Sequence, residues 1–97
     1  MIIRVVKMTF LEERVNDFLS NFEKHKQQIR SFEGCRRLEL LQQAGRPDVF
    51  FTYSWWDSES ALENYRHSQL FGEVWSFTKS LFADRPEAWS LNQLEKM

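Results

Sequence analysis

Val49-Phe50-Phe51-Thr52-Tyr53-Ser54-Trp55-Trp56 decides the fold, because this run turns directly into a segment that carries Tyr65, Phe71 and Trp75. A row rich in aromatic residues reads as a strand, with successive side chains on alternating sides. Asp57 or Ser58 then offers an oxygen to cap a following helix. An aromatic strand that feeds an aromatic helix builds an apolar pocket rather than a charged active site.

Working back from Val49, Gly45-Arg46-Pro47-Asp48 has the residue types of a tight turn, so Cys35 to Gln42 is expected to pair with the aromatic strand as a hairpin. Before it, Val15, Phe18, Leu19, Phe22, Ile29 and Phe32 recur at three- and four-residue steps. They predict an amphipathic helix from about Glu12 to Phe32, roughly 30 Å long and ended by Gly34. Ile2 to Thr9 reads as the opening strand, with Ile2, Arg4, Val6 and Met8 on one face and Ile3, Val5 and Lys7 on the other. Working forward from Trp56, Leu62 and Tyr65 follow one helical pattern and Leu70, Phe71, Val74, Trp75, Thr78, Leu81 and Phe82 a second, with Ser68 placed to break or recap the helix. Arg85 and Pro86 stop it, and Ala88 to Leu94 reads as a last strand.

The order strand, helix, strand, strand, helix, strand predicts a ferredoxin-like α+β fold: a four-stranded antiparallel sheet with its helices on one face. Both faces of the opening strand are largely apolar. A second copy of the sheet is therefore expected on the open side, giving a homodimer closed as an α+β barrel. Which face lines the pocket and which the dimer is open at this point.

Composition narrows the function. The 97 residues make one domain, 1–97, with a small core. Nine Phe and four Trp exceed what such a core hides, which again points to self-association. Thirteen basic against 14 acidic side chains leave a net charge of -1 and no electrostatic reason to seek nucleic acid or an acidic membrane. An RNA-stacking sheet of this topology would carry basic residues and glycine around its aromatic strand, and Val49 to Ser54 has neither. Three glycines cannot build a phosphate-binding loop. Cys35 is the only cysteine, which excludes an intrachain disulfide and paired-Cys motifs and fits a cytoplasmic protein. No export signal, membrane-spanning run or metal-ligand spacing is visible, so neither metal nor organic cofactor is expected.

Among titratable residues, His67 is the candidate to take a phenolic proton, although the commoner role at such a position is packing at the edge of the core, one turn before Leu70 and Phe71. His25 lies on the stripe of the first helix between Phe22 and Ile29, as a ligand contact or a packed histidine. Tyr65 and Tyr53 are candidates to donate a hydrogen bond to a substrate oxygen. Trp56, Trp75 and Trp55 offer flat surfaces to a polycyclic ligand and are also ordinary packing residues, and Phe71 is a further binding candidate. Arg4 shares a face with Val6 and Met8, where its charge needs an anionic ligand or a carboxylate such as an ion pair across a dimer.

Ile2-Ile3-Arg4-Val5-Val6-Lys7, Gly34-Cys35, Trp56, Ala61-Leu62 and the Ser68/Phe71 pair together resemble antibiotic biosynthesis monooxygenase domains of the dimeric α/β-barrel superfamily. The resemblance spans nearly the whole chain and implies the same fold. It implies a choice of activities: cofactor-independent oxygenation of polyphenols and anthrones, quinol oxidation, haem degradation, sugar-phosphate isomerisation, or none. The Asn, Trp and ligating His of haem-degrading members fall at about Val6, Tyr65 and Trp75. The histidines of quinol-type and isomerase members fall at Tyr65 and Leu70. Of the polyphenol oxygenases' residues only Trp56 carries over, with Thr52 and Leu62 in place of the accompanying Asn and Tyr.

The expected function is therefore oxygenation of a small aromatic, polyphenol or quinone-like molecule. Trp56, Tyr65 and His67 are its catalytic candidates, and Trp75, Tyr53, Phe71, Arg4 and His25 its binding candidates. The alternative is a non-catalytic barrel of stress-response type that binds a small hydrophobic molecule. A pocket in which polar groups converge favours the first, and a wholly apolar one the second.

Overall fold

A computed structural model describes all residues 1–97. The elements are β1 (Ile2–Thr9), a 3-10 turn (Glu12–Arg14), α1 (Val15–Arg30), β2 (Cys35–Gln42), β3 (Val49–Trp56), α2 (Glu59–Arg66), α3 (Gln69–Lys79) and β4 (Glu87–Asn92). The sheet is antiparallel, in the order β2-β3-β1-β4. This is the expected ferredoxin-like arrangement.

Three elements differ from their expected bounds. The first helix does not start at Glu12 but after the 3-10 turn, at Val15. The last helix ends at Lys79, short of Arg85, because the chain beyond it is captured by the end of β1. The Leu11 amide donates to the Leu81 carbonyl (3.0 Å) and the Ala83 amide to the Thr9 carbonyl (2.9 Å). Leu81 is consequently buried by tertiary pairing rather than by helical periodicity. The last strand is Glu87–Asn92, one residue earlier at its start and two shorter at its end than expected.

Two serines set the second helical region. The Ser58 hydroxyl accepts from the Ala61 amide at 3.1 Å and so caps α2. Ser68 donates its hydroxyl to the Tyr65 carbonyl at 2.6 Å and accepts from the Phe71 amide at 3.1 Å, closing α2 and opening α3 in one residue. The result is a bend that turns Tyr65 and Phe71 toward each other.

The core lies between the sheet and the helices, in two clusters. Met8, Phe10, Phe18, Phe50 and Leu81 form the larger, with Phe10 and Phe18 stacked at 4.2 Å. Cys35, Trp56 and Leu62 form the smaller, bordered by Ile2, Phe32, Ala61 and Tyr65. Strand alternation assigns Ile2, Arg4, Val6 and Met8 to this helix-covered side. On the other side, Val5 lies between Tyr53 and Trp89 and Ile3 between Trp55 and Leu91. No helix covers that side: Trp89 and Leu91 keep 42% and 48% of their surface exposed. The Arg37 guanidinium lies 4.8 Å from the Trp55 ring, and Tyr53 is 6.0 Å from Trp55.

Candidate functional site

A cavity of about 250 Å³ opens between the helix-covered side of the sheet and the helices. Its floor is Arg4 and Val6 of β1 with Thr52 and Ser54 of β3; Tyr65 and Arg66 come from α2, Phe71 and Trp75 from α3. The pocket face is thus the one that carries Arg4, and the opposite, aromatic face is left for another contact.

One wall is a continuous aromatic ladder. Trp56 stacks on Tyr65 (4.9 Å, 24°), Tyr65 meets the edge of Phe71 (5.3 Å, 77°), and Phe71 stacks on Trp75 (5.9 Å, 14°). The bend at Ser68 is what brings residues of two helices into one ladder. Trp56 is the innermost member and is 0% exposed. Its indole N–H donates to the Ser54 hydroxyl at 2.9 Å. Trp56 therefore supports Tyr65 from behind, and the surfaces open to a ligand belong to the outer members of the ladder.

Tyr65 is the polar member. Burial, then the proximity of Cys35, raises its phenol well above the ordinary value of 10.0, so it stays protonated at neutral pH. Its hydroxyl has no hydrogen-bond partner within the protein and is not sealed from solvent. A protonated phenol without a partner is a hydrogen-bond donor awaiting an acceptor, and it is not a base.

The other candidates divide. Arg4, Trp56, Tyr65, Phe71 and Trp75 all line the cavity; His67, His25 and Tyr53 do not. His67 is the C-terminal cap of α2, 78% exposed at its side chain, with Nδ1 2.9 Å from the Glu63 carbonyl oxygen and 3.7 Å from the Glu63 carboxylate. The bend at Ser68 sends it to the surface. His25 is half-buried, and its Nδ1 donates back to the Asn21 carbonyl at 2.8 Å, a bond within α1. Tyr53 and Trp55 alternate onto the open side of the sheet, so Trp55 is not a stacking surface of this cavity. Arg4 stands on the side opposite the open face, out of reach of an ion pair across an interface built there.

Two site residues escaped the sequence reading. Ser54 and Ser90 are the cross-strand partners of Arg4, and the Ser90 hydroxyl accepts from Arg4 Nη1 at 2.9 Å. Their signal is register, which exists only once the strands are paired. No three His, Cys, Asp or Glu side chains gather as a metal site would require. No helix is long and apolar enough to cross a membrane.

The sequence profile of the antibiotic biosynthesis monooxygenase family matches residues 1–74, and the chain belongs to that family. No functionally curated protein matches it. Among solved structures, the chain is similar to an antibiotic biosynthesis monooxygenase at TM-score 0.91 and 13% identity, over 98% of this chain and 100% of that one. It is similar to a conserved protein from Methanosarcina mazei Go1 at TM-score 0.89 and 21% identity (96% and 93% covered). Rv0793 from Mycobacterium tuberculosis aligns at TM-score 0.90 and 15% identity (98% and 96% covered). At these identities the structural likeness establishes the fold.

Proposed function

We propose that this chain is a monooxygenase that needs no metal or organic cofactor and acts on a small aromatic, polyphenol or quinone-like molecule. It would work as one domain, 1–97, in a cytoplasmic homodimer. The observation that carries the reading is the Trp56-Tyr65-Phe71-Trp75 ladder walling a cavity in which the Tyr65 hydroxyl is unengaged. Family membership supports oxygenation as the chemistry.

Such a reaction balances without an external reductant. When a ring methylene becomes a ketone, its two C–H bonds supply four electrons, one oxygen atom of O₂ forms the carbonyl, and the other leaves as water with both hydrogens. Phe71 and Trp75 hold the flat substrate and keep water out, and Tyr65 donates to the oxygen on which negative charge develops. With both histidines outside the cavity and the lining carboxylate Glu87 exposed at the start of β4, no base stands inside, and the substrate's first proton leaves to Glu87 or to water. The same lack of an internal base favours the second reading, a barrel that binds such a molecule without transforming it.

Oxygen uptake with 1,8-dihydroxyanthrone separates the two. Uptake above the spontaneous rate, lowered at least tenfold in Trp75→Ala, is the expected result. Binding with uptake at the spontaneous rate leaves the non-catalytic reading.

The homodimer is supported by the uncovered face of Trp55, Trp89 and Leu91 around Ile3 and Val5. Sedimentation at micromolar concentration is expected to give twice the 11.8 kDa chain mass. A monomer would overturn that assignment.

A further inference from the structure

Arg4 is a cation without a counter-ion. It lines the cavity, and its only side-chain hydrogen bond goes to a neutral acceptor, the Ser90 hydroxyl. None of the ion pairs of the molecule includes it. The one carboxylate on the adjacent helix that influences it, Glu63, is engaged elsewhere: Arg66 holds it at 2.8 Å and His67 approaches it at 3.7 Å. Burial first, and the Arg66 charge second, disfavour the charged form of Arg4, yet a guanidinium stays protonated in proteins. The charge remains, partly desolvated, beside an aromatic wall.

The rest of the cavity's polar equipment leans the same way. Tyr65 offers a proton and nothing in the protein takes it. The Ser54 oxygen already accepts from Trp56, which leaves its O–H to be donated. The Thr78 hydroxyl is spent on the Val74 carbonyl at 2.7 Å. The acidic lining residue, Glu87, is exposed where β4 begins, in register with Lys7. A site rich in unsatisfied donors around a fixed positive charge is complementary to an anion.

We propose that the cavity is selective for an aromatic carboxylate: the ring lies along Phe71 and Trp75, and the carboxylate pairs with Arg4 beside Ser54. The proposal rests on the aromatic-cavity reading above and deepens it. A carboxylate fits better than a phenolate for two reasons. It arrives ionised at neutral pH, whereas a phenol must first lose its proton, and the one lining carboxylate, Glu87, is exposed at the start of β4. Its two oxygens also match the fork of a guanidinium, giving shorter and stronger bonds than neutral pairs. A volume of about 250 Å³ suits a ligand of about two or three fused rings, below the range of drug-sized sites.

Isothermal titration with 2-naphthoate and its neutral, near-isosteric amide, 2-naphthamide, tests this on the intact protein. The expected result is naphthoate binding tighter by on the order of tenfold or more, a preference that weakens with added salt. It is lost in Arg4→Gln and partly kept in Arg4→Lys, because naphthoate affinity falls more than naphthamide affinity. Equal affinities in the wild type, or a preference that survives Arg4→Gln, overturn the anion assignment and leave the aromatic cavity standing. Failure of both probes to bind the wild type overturns the cavity reading and this proposal together. The wild-type comparison needs no variant to fold.

Discussion

Replacing Gly34 by Ala tests the junction on which the smaller cluster depends. Gly34 sits between α1 and β2 at φ +88°, in the left-handed region, and its carbonyl accepts from the Asp57 amide at 2.9 Å. A Cβ there would lie 2.5 Å from the Ala61 Cβ on α2. Two costs follow. The backbone conformation costs an L-residue about 1–2 kcal/mol. The overlap demands that the β2 start and α2 separate, and Ala61 packs against the Cys35, Trp56 and Leu62 cluster, so the overpacking adds about 1–3 kcal/mol. The sum is about 2–5 kcal/mol. Gly45 provides the control, with φ +80° and nothing within 4 Å of a Cβ, so Gly45→Ala carries the backbone cost alone. Urea and thermal unfolding at matched protein concentration should therefore show Gly34→Ala less stable than Gly45→Ala by about 1–3 kcal/mol, or roughly 4–24 °C in melting temperature. Adding Ala61→Gly to the Gly34→Ala background should return part of that difference. Equal destabilisation by the two alanines, or no recovery with Ala61→Gly, would refute the steric argument.

Three further outcomes are expected. Tyr65→Phe should leave the urea midpoint nearly unchanged, since the hydroxyl bonds nothing in the protein, while weakening binding of a ketone-bearing aromatic by about 0.5–1.5 kcal/mol in calorimetry; a large stability loss would show a partner for that hydroxyl. Hydrogen bonds from Arg36 and Arg46 hold the Asp57 and Asp48 carboxyls below their ordinary value of 3.8. Groups with depressed folded values stabilise above the unfolded value and lose that contribution as pH falls through the folded one. The contribution of these pairs should be flat from pH 7 to about 5 and decline below about 4, less steeply in Asp57→Asn, as followed by urea midpoints. Cys35 is buried and burial raises its thiol, so native protein at pH 8 should react with a disulfide reagent far more slowly than protein in urea; equal rates would show that the smaller cluster is open.

The sequence by itself determined the order of elements, because periodicity and turn chemistry are local. The alternation of Ile2 to Thr9, the stripe from Val15 to Ile29, the Gly45-Arg46-Pro47-Asp48 turn and the Ser58 cap were all legible, and together they imply the sheet order observed. Sequence also marked Trp56, Tyr65, Phe71 and Trp75, since an aromatic on the helix-covered face of a strand and those on the helices after it can share a wall.

What only the tertiary structure decided was which groups the wall leaves free. His67 was attractive on the scale of chemistry and lies outside because Ser68 bends the chain immediately after it. Trp56 proved to be sealed behind Tyr65, a matter of depth that spacing along a strand does not encode. The end of the last helix at Lys79 and the burial of Leu81 follow from hydrogen bonds to Leu11 and Thr9, about seventy residues away in the chain. Arg4 could be assigned to a face by counting in twos, but its lack of a carboxylate became visible only when Ser54 and Ser90 took the flanking positions in register. Local propensity is written in neighbours along the chain, whereas a charge without a partner is a property of everything that packs around it.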